Sequence, residues 1–340
     1  MRLLRIKWIC GFFMIALAAT EAQDLHHSQF YTSPLNTNPG LTGVFNGDYR
    51  AAINYRAQWF VKDLVRYSTI SANADMKFFP KAHDAQGFWS AGLLFNYDQA
   101  GESRLSLAHI GLTGSYTRAL NENNLFTLGA LVGFGQRRFH TDDLIWDEQW
   151  VNGQYNPNAD PMEDFSNTSN GFLDIGAGVN YRLQKSARTN LNLGLGVFHI
   201  NQPDQTFFAQ SATEELPRRW AASMMGSLQL SESIDIMLHG LFQRQGEYQE
   251  ILVGGYGRLH VNQQRGKEFA LLIGFVTRPD DALTPKFAIQ YTNWYAGFSY
   301  DVNNSEFRQA TNRRGGPEFS LVYRYTTVKP LPQFKNCPIF

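Results

Sequence analysis

Apolar and polar residues alternate one by one along most of this chain, between about residues 48 and 327. A period of two places alternate side chains on opposite faces of a strand, and a helix cannot use it. The pattern therefore restricts the chain to an all-β fold. The segment 190–201 shows it clearly, because Leu191, Leu193, Leu195, Val197 and His199 alternate there with Asn192, Gly194, Gly196 and Phe198.

Counting the alternating segments predicts fourteen strands, with lengths that suit the ~9–11 residues that a tilted strand needs to cross a bilayer. The connections after even-numbered strands are mostly short, and the longest ones follow strands five, seven and thirteen. Short turns on one rim and long loops on the other are typical of outer-membrane barrels. The strands lie near 48–59, 67–78, 87–98, 103–118, 124–138, 171–182, 189–201, 217–229, 233–243, 250–261, 267–277, 284–291, 294–302 and 317–327.

The fold that these observations favour is an antiparallel transmembrane β-barrel in the outer membrane of a Gram-negative bacterium, with both ends of the chain at the periplasmic rim. Aromatic residues at the segment ends and a glycine-rich, charged second face favour lipid on the outside. The alternative is a soluble two-domain all-β protein, divided at the Pro- and Asn-rich stretch 152–170.

The amino terminus has the pattern of a secretory signal peptide. Three basic residues precede an apolar run from Ile9 to Ala19, and small residues end at Ala22. A run of this length cannot span a bilayer. The predicted organisation is then a signal peptide at 1–22, an N-terminal plug-like or rim segment at 23–47, the transmembrane barrel at 48–327 and a periplasmic tail at 328–340.

Charged residues of both signs recur on the inward face of the predicted strands. In one interpretation they line a selective channel, and in the other they form a closed ion-pair network that fills the lumen. We prefer the network, because the signs are mixed and a fourteen-strand barrel is wide enough to need filling. The predicted lumen-lining residues are Arg50, Arg56, Asp174, Arg182, Glu318 and Arg324.

Aromatic residues outside the strands are the candidates for partner contacts. The segment 141–170 holds seven acidic residues and no Lys or Arg, so we interpret it as a solvated lid over the pore mouth, with cation or partner binding as the alternative. The N-terminal segment is too apolar to remain in water and should fold back on the barrel. The candidate partner-binding residues are Phe30, Tyr31, Trp146, Trp150, Cys337 and Phe340.

Charge and motifs exclude several function classes. Thirty basic residues balance thirty acidic ones, so no bulk attraction to nucleic acid is expected. No spacing of a metal site or of an activated nucleophile is recognisable, so we predict no cofactor and no enzyme activity. A secretion accessory, a passive channel for small solutes and a lipid-modifying barrel enzyme are the competing functions, and the enzyme is the least supported.

A series of short sequence blocks runs in order along the chain: Gln29–Tyr31, Pro34–Gly43, Tyr55–Trp59, Phe198–Pro203, Phe207–Phe208, Leu216–Arg219, Ser299–Asn303, Gly315–Leu321 and Cys337–Phe340. Together these blocks resemble the PorP/SprF family of outer-membrane proteins of the type IX secretion system. This chain departs from the family's usual pattern at Asn38–Gly43, which is usually Asn-Pro-Ala-Tyr/Phe-Ala-Gly, and at Ala57, which is usually asparagine.

The resemblance implies an outer-membrane component of type IX secretion and gliding motility, without enzymatic activity. It implies support for the export or surface anchoring of secreted cargo such as adhesins. The implied partners are outer-membrane lipid, the cargo protein, and periplasmic secretion-ring or lipoprotein components.

Overall fold

The alternating segments form strands that pair side by side into a barrel. The computed structural model describes residues 24–58, 67–79, 86–101, 103–141, 144–151, 153–160, 167–207, 213–305, 308–309 and 311–327. The strands are β1 (Tyr49–Gln58), β2 (Tyr67–Phe78), β3 (Gly87–Ala100), β4 (Leu105–Asn121), β5 (Asn124–Arg138), β6 (Trp150–Val151), β7 (Gln154–Tyr155), β8 (Ser169–Gln184), β9 (Asn190–Phe198), β10 (Arg219–Gln229), β11 (Ile234–Gln245), β12 (Tyr248–Asn262), β13 (Phe269–Arg278), β14 (Ala282–Tyr291), β15 (Trp294–Asn303) and β16 (Arg314–Tyr325).

Fourteen of these strands close into one antiparallel barrel, which confirms the predicted fold and strand number. Closure occurs because β1 pairs with β16 as well as with β2, and it leaves no open edge. β5 pairs directly with β8, from Asn124 opposite Leu183 to Arg138 opposite Ser169. The sheet is therefore continuous across the 152–170 region, and the soluble two-domain alternative is wrong.

The two rims of the barrel differ in their connections. The barrel begins at Tyr49 and ends at Tyr325 on one rim, which we call the terminal rim. The long connections 139–168, 199–218 and 304–313 lie at the opposite rim, which we call the loop rim. β6 and β7 form a small hairpin within the first of them, which the alternation did not predict. Among the described residues no helix is long and apolar enough to cross a membrane.

The outer face of the barrel carries exposed apolar side chains, as a lipid-facing wall requires. Aliphatic residues such as Leu112 and Ile273 are exposed along the middle of the strands. Aromatic rings pair near the terminal rim, where amphipathic rings favour the membrane interface. The ring centroids of Tyr49 and Tyr325 are 6.2 Å apart, those of Trp89 and Tyr116 are 4.8 Å apart, and those of Trp294 and Tyr323 are 4.6 Å apart.

The inner face follows the predicted phase with one correction. In β9 the residues Asn192, Gly194, Gly196 and Phe198 point inward and are buried. His199 was expected on the opposite, aliphatic face. It lies inside instead, because β9 ends at Phe198 and His199 has a φ of 54°, which turns its side chain toward the lumen.

Residues 24–47 lie inside the barrel, and we call this segment the plug. It consists of short turns joined by irregular backbone: a 3₁₀ turn at Phe30–Thr32, a single helical turn at Pro34–Thr37 and a second 3₁₀ turn at Pro39–Leu41. Asn38 begins the last turn, where its Oδ1 accepts a hydrogen bond of 2.7 Å from the Gly40 amide. Turns this short gain little stability by themselves, so the barrel wall must hold the plug in shape.

Inward glycines of the wall form the seat of the Asn38 turn. A Cβ at Gly178 of β8 would lie 1.8 Å from Asn38 Oδ1, and one at Gly129 of β5 would lie 2.3 Å from the Pro39 carbonyl oxygen. Gly194 of β9 is also too close for a side chain, since a Cβ there would lie 2.6 Å from Asn38 Nδ2. The glycine-rich inward face therefore exists because the plug backbone approaches the wall without room for side chains.

Replacing Gly178 by alanine is expected to displace the Asn38 turn while the barrel still inserts. Overpacking of this kind costs about 1–3 kcal/mol, and the plug yields before the continuous strand ladder does. Hydrogen exchange of residues 37–42 in detergent measures the displacement. Gly114→Ala is the matched control, because a Cβ at Gly114 has nothing within 4 Å. Unchanged exchange in Gly178→Ala would contradict the proposed seat.

Candidate functional site: the plug, the lumen charges and the two cavities

The six residues predicted to line the lumen lie on inward positions of three strands. Arg50 and Arg56 belong to β1, Asp174 and Arg182 to β8, and Glu318 and Arg324 to β16. The first five are buried, whereas Arg324 is exposed at the terminal rim. Arg56 pairs with Glu318, and the ion pairs of Arg50, Arg56 and Asp174 otherwise run to other wall or loop residues. Among the described residues, Arg182 and Arg324 take part in no ion pair.

The Asp301 carboxylate organises the largest group of buried charges. Its Oδ2 accepts hydrogen bonds from Arg56 at 2.7 Å and from Arg278 at 2.8 Å. Its Oδ1 accepts from the hydroxyls of Ser28 at 2.9 Å and Thr284 at 2.8 Å. Every acceptor position of this carboxylate is therefore occupied, which a buried charge requires.

Glu318 holds the plug backbone beside this group. Its two carboxylate oxygens accept 2.8 Å hydrogen bonds from the amides of Ser28 and Gln29. Lys286 donates a 3.0 Å hydrogen bond to the Ser28 carbonyl, and Arg56 donates one of 2.8 Å to the His26 carbonyl. Wall charges thus substitute for the backbone partners that a helix or strand would have supplied to this irregular segment.

A second group ties the start of the plug to β4, β8 and β10. His199 lies between two carboxylates, with Nε2 3.0 Å from Asp24 Oδ2 and Nδ1 2.9 Å from Asp174 Oδ1. His109 Nε2 lies 3.3 Å from Asp174 Oδ2. Arg219 Nε lies 3.2 Å from Asp24 Oδ2.

The charges of this second group set the pKa values of its loop and plug members. Burial by itself would lower the pKa of His199, but the Asp24 and Asp174 carboxylates raise it to about 9. Burial opposes ionisation of Asp24, but Arg219 and His199 hold its pKa well below its usual range. Both groups are therefore charged near neutral pH, and their attraction fixes the amino-terminal end of the plug.

Phe30 and Tyr31, predicted as partner contacts, are placed inside the barrel. Phe30 is 3% exposed and packs with Leu241, Leu252 and other wall residues. The Tyr31 ring stacks on His239 at a centroid distance of 4.3 Å, and its hydroxyl lies 3.0 Å from that of Tyr295. Both side chains contact the wall, and Tyr31 also lines the cavity at the terminal rim.

The other aromatic candidates lie at the loop rim or outside the described residues. Trp150 is exposed on β6, and Trp146 is partly buried just before it. The Trp150 ring pairs with that of Tyr155 at a centroid distance of 5.9 Å. Cys337 and Phe340 lie outside the described residues.

The plug lies between two cavities. The one at the loop rim has a volume of about 960 Å³ and is lined in part by residues 24–26 of the plug. The one at the terminal rim has a volume of about 160 Å³ and is lined by plug residues from Tyr31 to Asn46. Any route through the barrel therefore passes the plug.

Several residues that hold the plug were not among the sequence predictions. Asp301, Arg278 and Lys286 lie on strands whose alternation was recognised. The alternation by itself could therefore have placed their side chains inside the barrel. Asp24 and His199 lie outside strands, and no pattern in the sequence pairs them. The long-range partners of these residues are decided by barrel closure, which sequence spacing does not show.

Glu318→Gln is expected to loosen the plug, since an amide offers one acceptor oxygen to two plug amides and leaves Arg56 beside a neutral group. Breaking a buried charged arrangement from one side costs about 3–5 kcal/mol. Cleavage of the N-terminal segment by added protease reports the change. Glu247→Gln, at an exposed turn residue, is the control, and equal protection of the two variants would refute the role of Glu318.

Docking of the plug is expected to weaken as the pH falls below 6.5. Burial, followed by the charge of Arg56, lowers the pKa of His27 to about 3, so this group favours docking fully above 6.5 and progressively less as the pH falls toward 3. The loss is about 1.4 kcal/mol per pH unit in that window. His199 acts in the opposite sense, because its raised pKa favours docking below 6.5 and the contribution is lost as the pH rises through about 9.

Hydrogen-exchange protection of residues 27–32, corrected for intrinsic rates, should therefore be greatest near pH 6.5. His27→Gln should remove part of the acid limb, and His199→Gln part of the alkaline limb. A flat profile for the unaltered protein would contradict this assignment.

The chain is similar to one known protein family and to several solved structures. A family model described as "Type IX secretion system membrane protein PorP/SprF" matches residues 19–323. The comparison with curated proteins found no match. Among solved structures, the chain is similar to a TodX monoaromatic hydrocarbon channel deltaS2 mutant, with 8% identity, coverage of 87% of this chain and 94% of that one, and a TM-score of 0.47.

Two further solved structures show a similar degree of likeness. A FadL homologue of Pseudomonas aeruginosa has 10% identity, with coverage of 85% of this chain and 93% of that one, and a TM-score of 0.47. The translocator domain of the autotransporter NalP from Neisseria meningitidis has 11% identity, with coverage of 88% of this chain and 96% of that one, and a TM-score of 0.40.

Proposed function

We propose that this protein, which belongs to the PorP/SprF family of type IX secretion system membrane proteins, supports the export or surface anchoring of secreted cargo such as adhesins through protein–protein contacts at its rims. It lies in the outer membrane. In this role it is an accessory without catalytic residues of its own.

The occupied lumen is the observation that carries the proposal. The plug is held by Asp301, Glu318, Asp24 and their partners through buried charge-assisted hydrogen bonds, and the two cavities lie on either side of it. A passive channel needs a continuous polar path, and a plug held in this way opposes one. A protein with a filled lumen acts through surfaces, which here are the two rims.

The two rims suit different partners. Outer-membrane barrels have short periplasmic turns and long extracellular loops, so the loop rim faces outward and the terminal rim faces the periplasm. Exposed aromatic residues such as Trp150 in the connection 139–168 are suited to contact a cargo protein. The terminal rim is suited to contact a periplasmic ring or lipoprotein component.

Deletion of the gene is expected to reduce the surface display of one or a few secreted proteins while bulk nutrient uptake continues. Surface proteomics and growth on limiting nutrients measure the two effects. The full-length gene should restore display, and a gene ending after Thr327 should restore an inserted, heat-modifiable barrel without display. Normal display in the deletion strain would refute the secretion role.

Conductance in planar bilayers separates this function from the passive channel. The purified protein should show little steady current, because the plug remains docked. Steady, large and unblocked conductance would favour the channel for small solutes instead.

A further inference from the structure

Four arginines from four different strands line the cavity at the terminal rim. No aspartate or glutamate is among the described residues that line it. An electropositive concavity without acidic residues concentrates anions and steers them toward it. The four arginines are Arg50 of β1, Arg182 of β8, Arg258 of β12 and Arg324 of β16.

Two of the four arginines are neutralised by carboxylates outside the cavity lining. Arg50 donates two hydrogen bonds to Asp75, from Nε at 2.8 Å and from Nη2 at 2.7 Å. Arg258 forms an ion pair with Asp235, and the same carboxylate also pairs with Arg188. The charges of Arg50 and Arg258 are therefore already compensated by carboxylates of the barrel wall.

Among the described residues, the other two arginines have no carboxylate partner. Arg182 donates only to neutral oxygens, those of Gln184 at 2.6 Å, Asn192 at 3.2 Å and Asn46 at 2.9 Å. Within the part of the chain that the structure describes, Arg324 has neither an ion pair nor a side-chain hydrogen bond. Two full positive charges therefore remain uncompensated at one cavity.

The register of the strands makes this arrangement costly. Arg324 lies directly opposite Arg50 in the pairing of β16 with β1, and like charges directly opposite one another destabilise a sheet. Arg182 lines the same cavity, so its positive charge adds to theirs. Asp75 compensates only Arg50, and an anion in the cavity would compensate Arg182 and Arg324, which have no carboxylate partner among the described residues.

We propose that the terminal-rim cavity binds a carboxylate-rich peptide segment of a periplasmic protein. This inference rests on the proposed function, since it assigns a chemistry to the periplasmic partner. Arg50 and Arg324 lie side by side on neighbouring strands, whereas Arg182 and Arg258 come from strands elsewhere around the barrel. Charges spread in this way suit several carboxylates on one chain better than a single small ion. Between them lie amides and aromatic rings, including Asn192, Gln290 and Tyr295, which suit a peptide backbone and the stems of its side chains.

Binding of labelled hexaglutamate to the purified full-length protein in detergent tests the site, with hexaglutamine as the neutral probe. Hexaglutamate should bind, and more weakly as salt rises. Arg182→Gln and Arg324→Gln should each weaken binding about tenfold or more, since charge-assisted hydrogen bonds are the strong ones. Arg265→Gln removes the same charge from an exposed turn of the same rim outside the cavity, and should change the affinity less than threefold.

Folding of the variants is checked by heat-modifiable migration and by the melting temperature. Arg324→Gln should melt no lower than the unaltered protein, because it removes a repulsion. Three results would overturn the site: equal binding of hexaglutamine, equal loss in Arg265→Gln, or displacement of hexaglutamate by inorganic phosphate at matched ionic strength, which would indicate a general oxyanion site.

The same experiments separate the site from the secretion role. Hexaglutamate binding by the purified protein together with normal display in the deletion strain would overturn the secretion role and with it the periplasmic partner. A deletion strain that loses display, together with a protein that does not bind hexaglutamate, would overturn the site and leave the role.

Discussion

The Asp301 carboxylate joins more parts of this molecule than any other group described above. It lies on β15 and accepts from Arg56 of β1, Arg278 of β13, Thr284 of β14 and Ser28 of the plug. A charge buried in a wide barrel is stable only when all its acceptor positions are used. Wall and plug therefore depend on each other, because the wall carboxylate is satisfied only when the plug is docked and the plug backbone is satisfied only by the wall.

This dependence explains why the plug segment fills the lumen, rather than side chains of the wall alone. A barrel of fourteen strands encloses more space than inward side chains fill. Glycines such as Gly129 and Gly178 bring the plug backbone close to the wall on one side, while charged residues hold it on the other. What remains open is a cavity at each rim, and the rims are where a secretion component can meet its partners.

The alternation of residues was enough to predict the barrel, its strand number and the inward phase of Arg56, Asp174 and Glu318. It was not enough to place His199, because a single residue with positive φ ends the alternation and reverses the side chain. It also suggested Phe30 and Tyr31 as contacts for a partner. Their aromatic character was a true signal of burial, but the surface that buries them is the protein's own wall.

The sequence by itself determined which face of each strand meets lipid and which meets the lumen, since a period of two is a local property of neighbouring residues. It also determined that the inner face would carry glycine and charge. Only the tertiary structure decided which charges meet, because pairs such as Ser28 with Asp301 and Asp24 with His199 are brought together by the closing of the barrel around the plug. It likewise decided that Arg182 and Arg324 meet no carboxylate of the described chain, since the absence of a neighbour is a property of the closed three-dimensional arrangement.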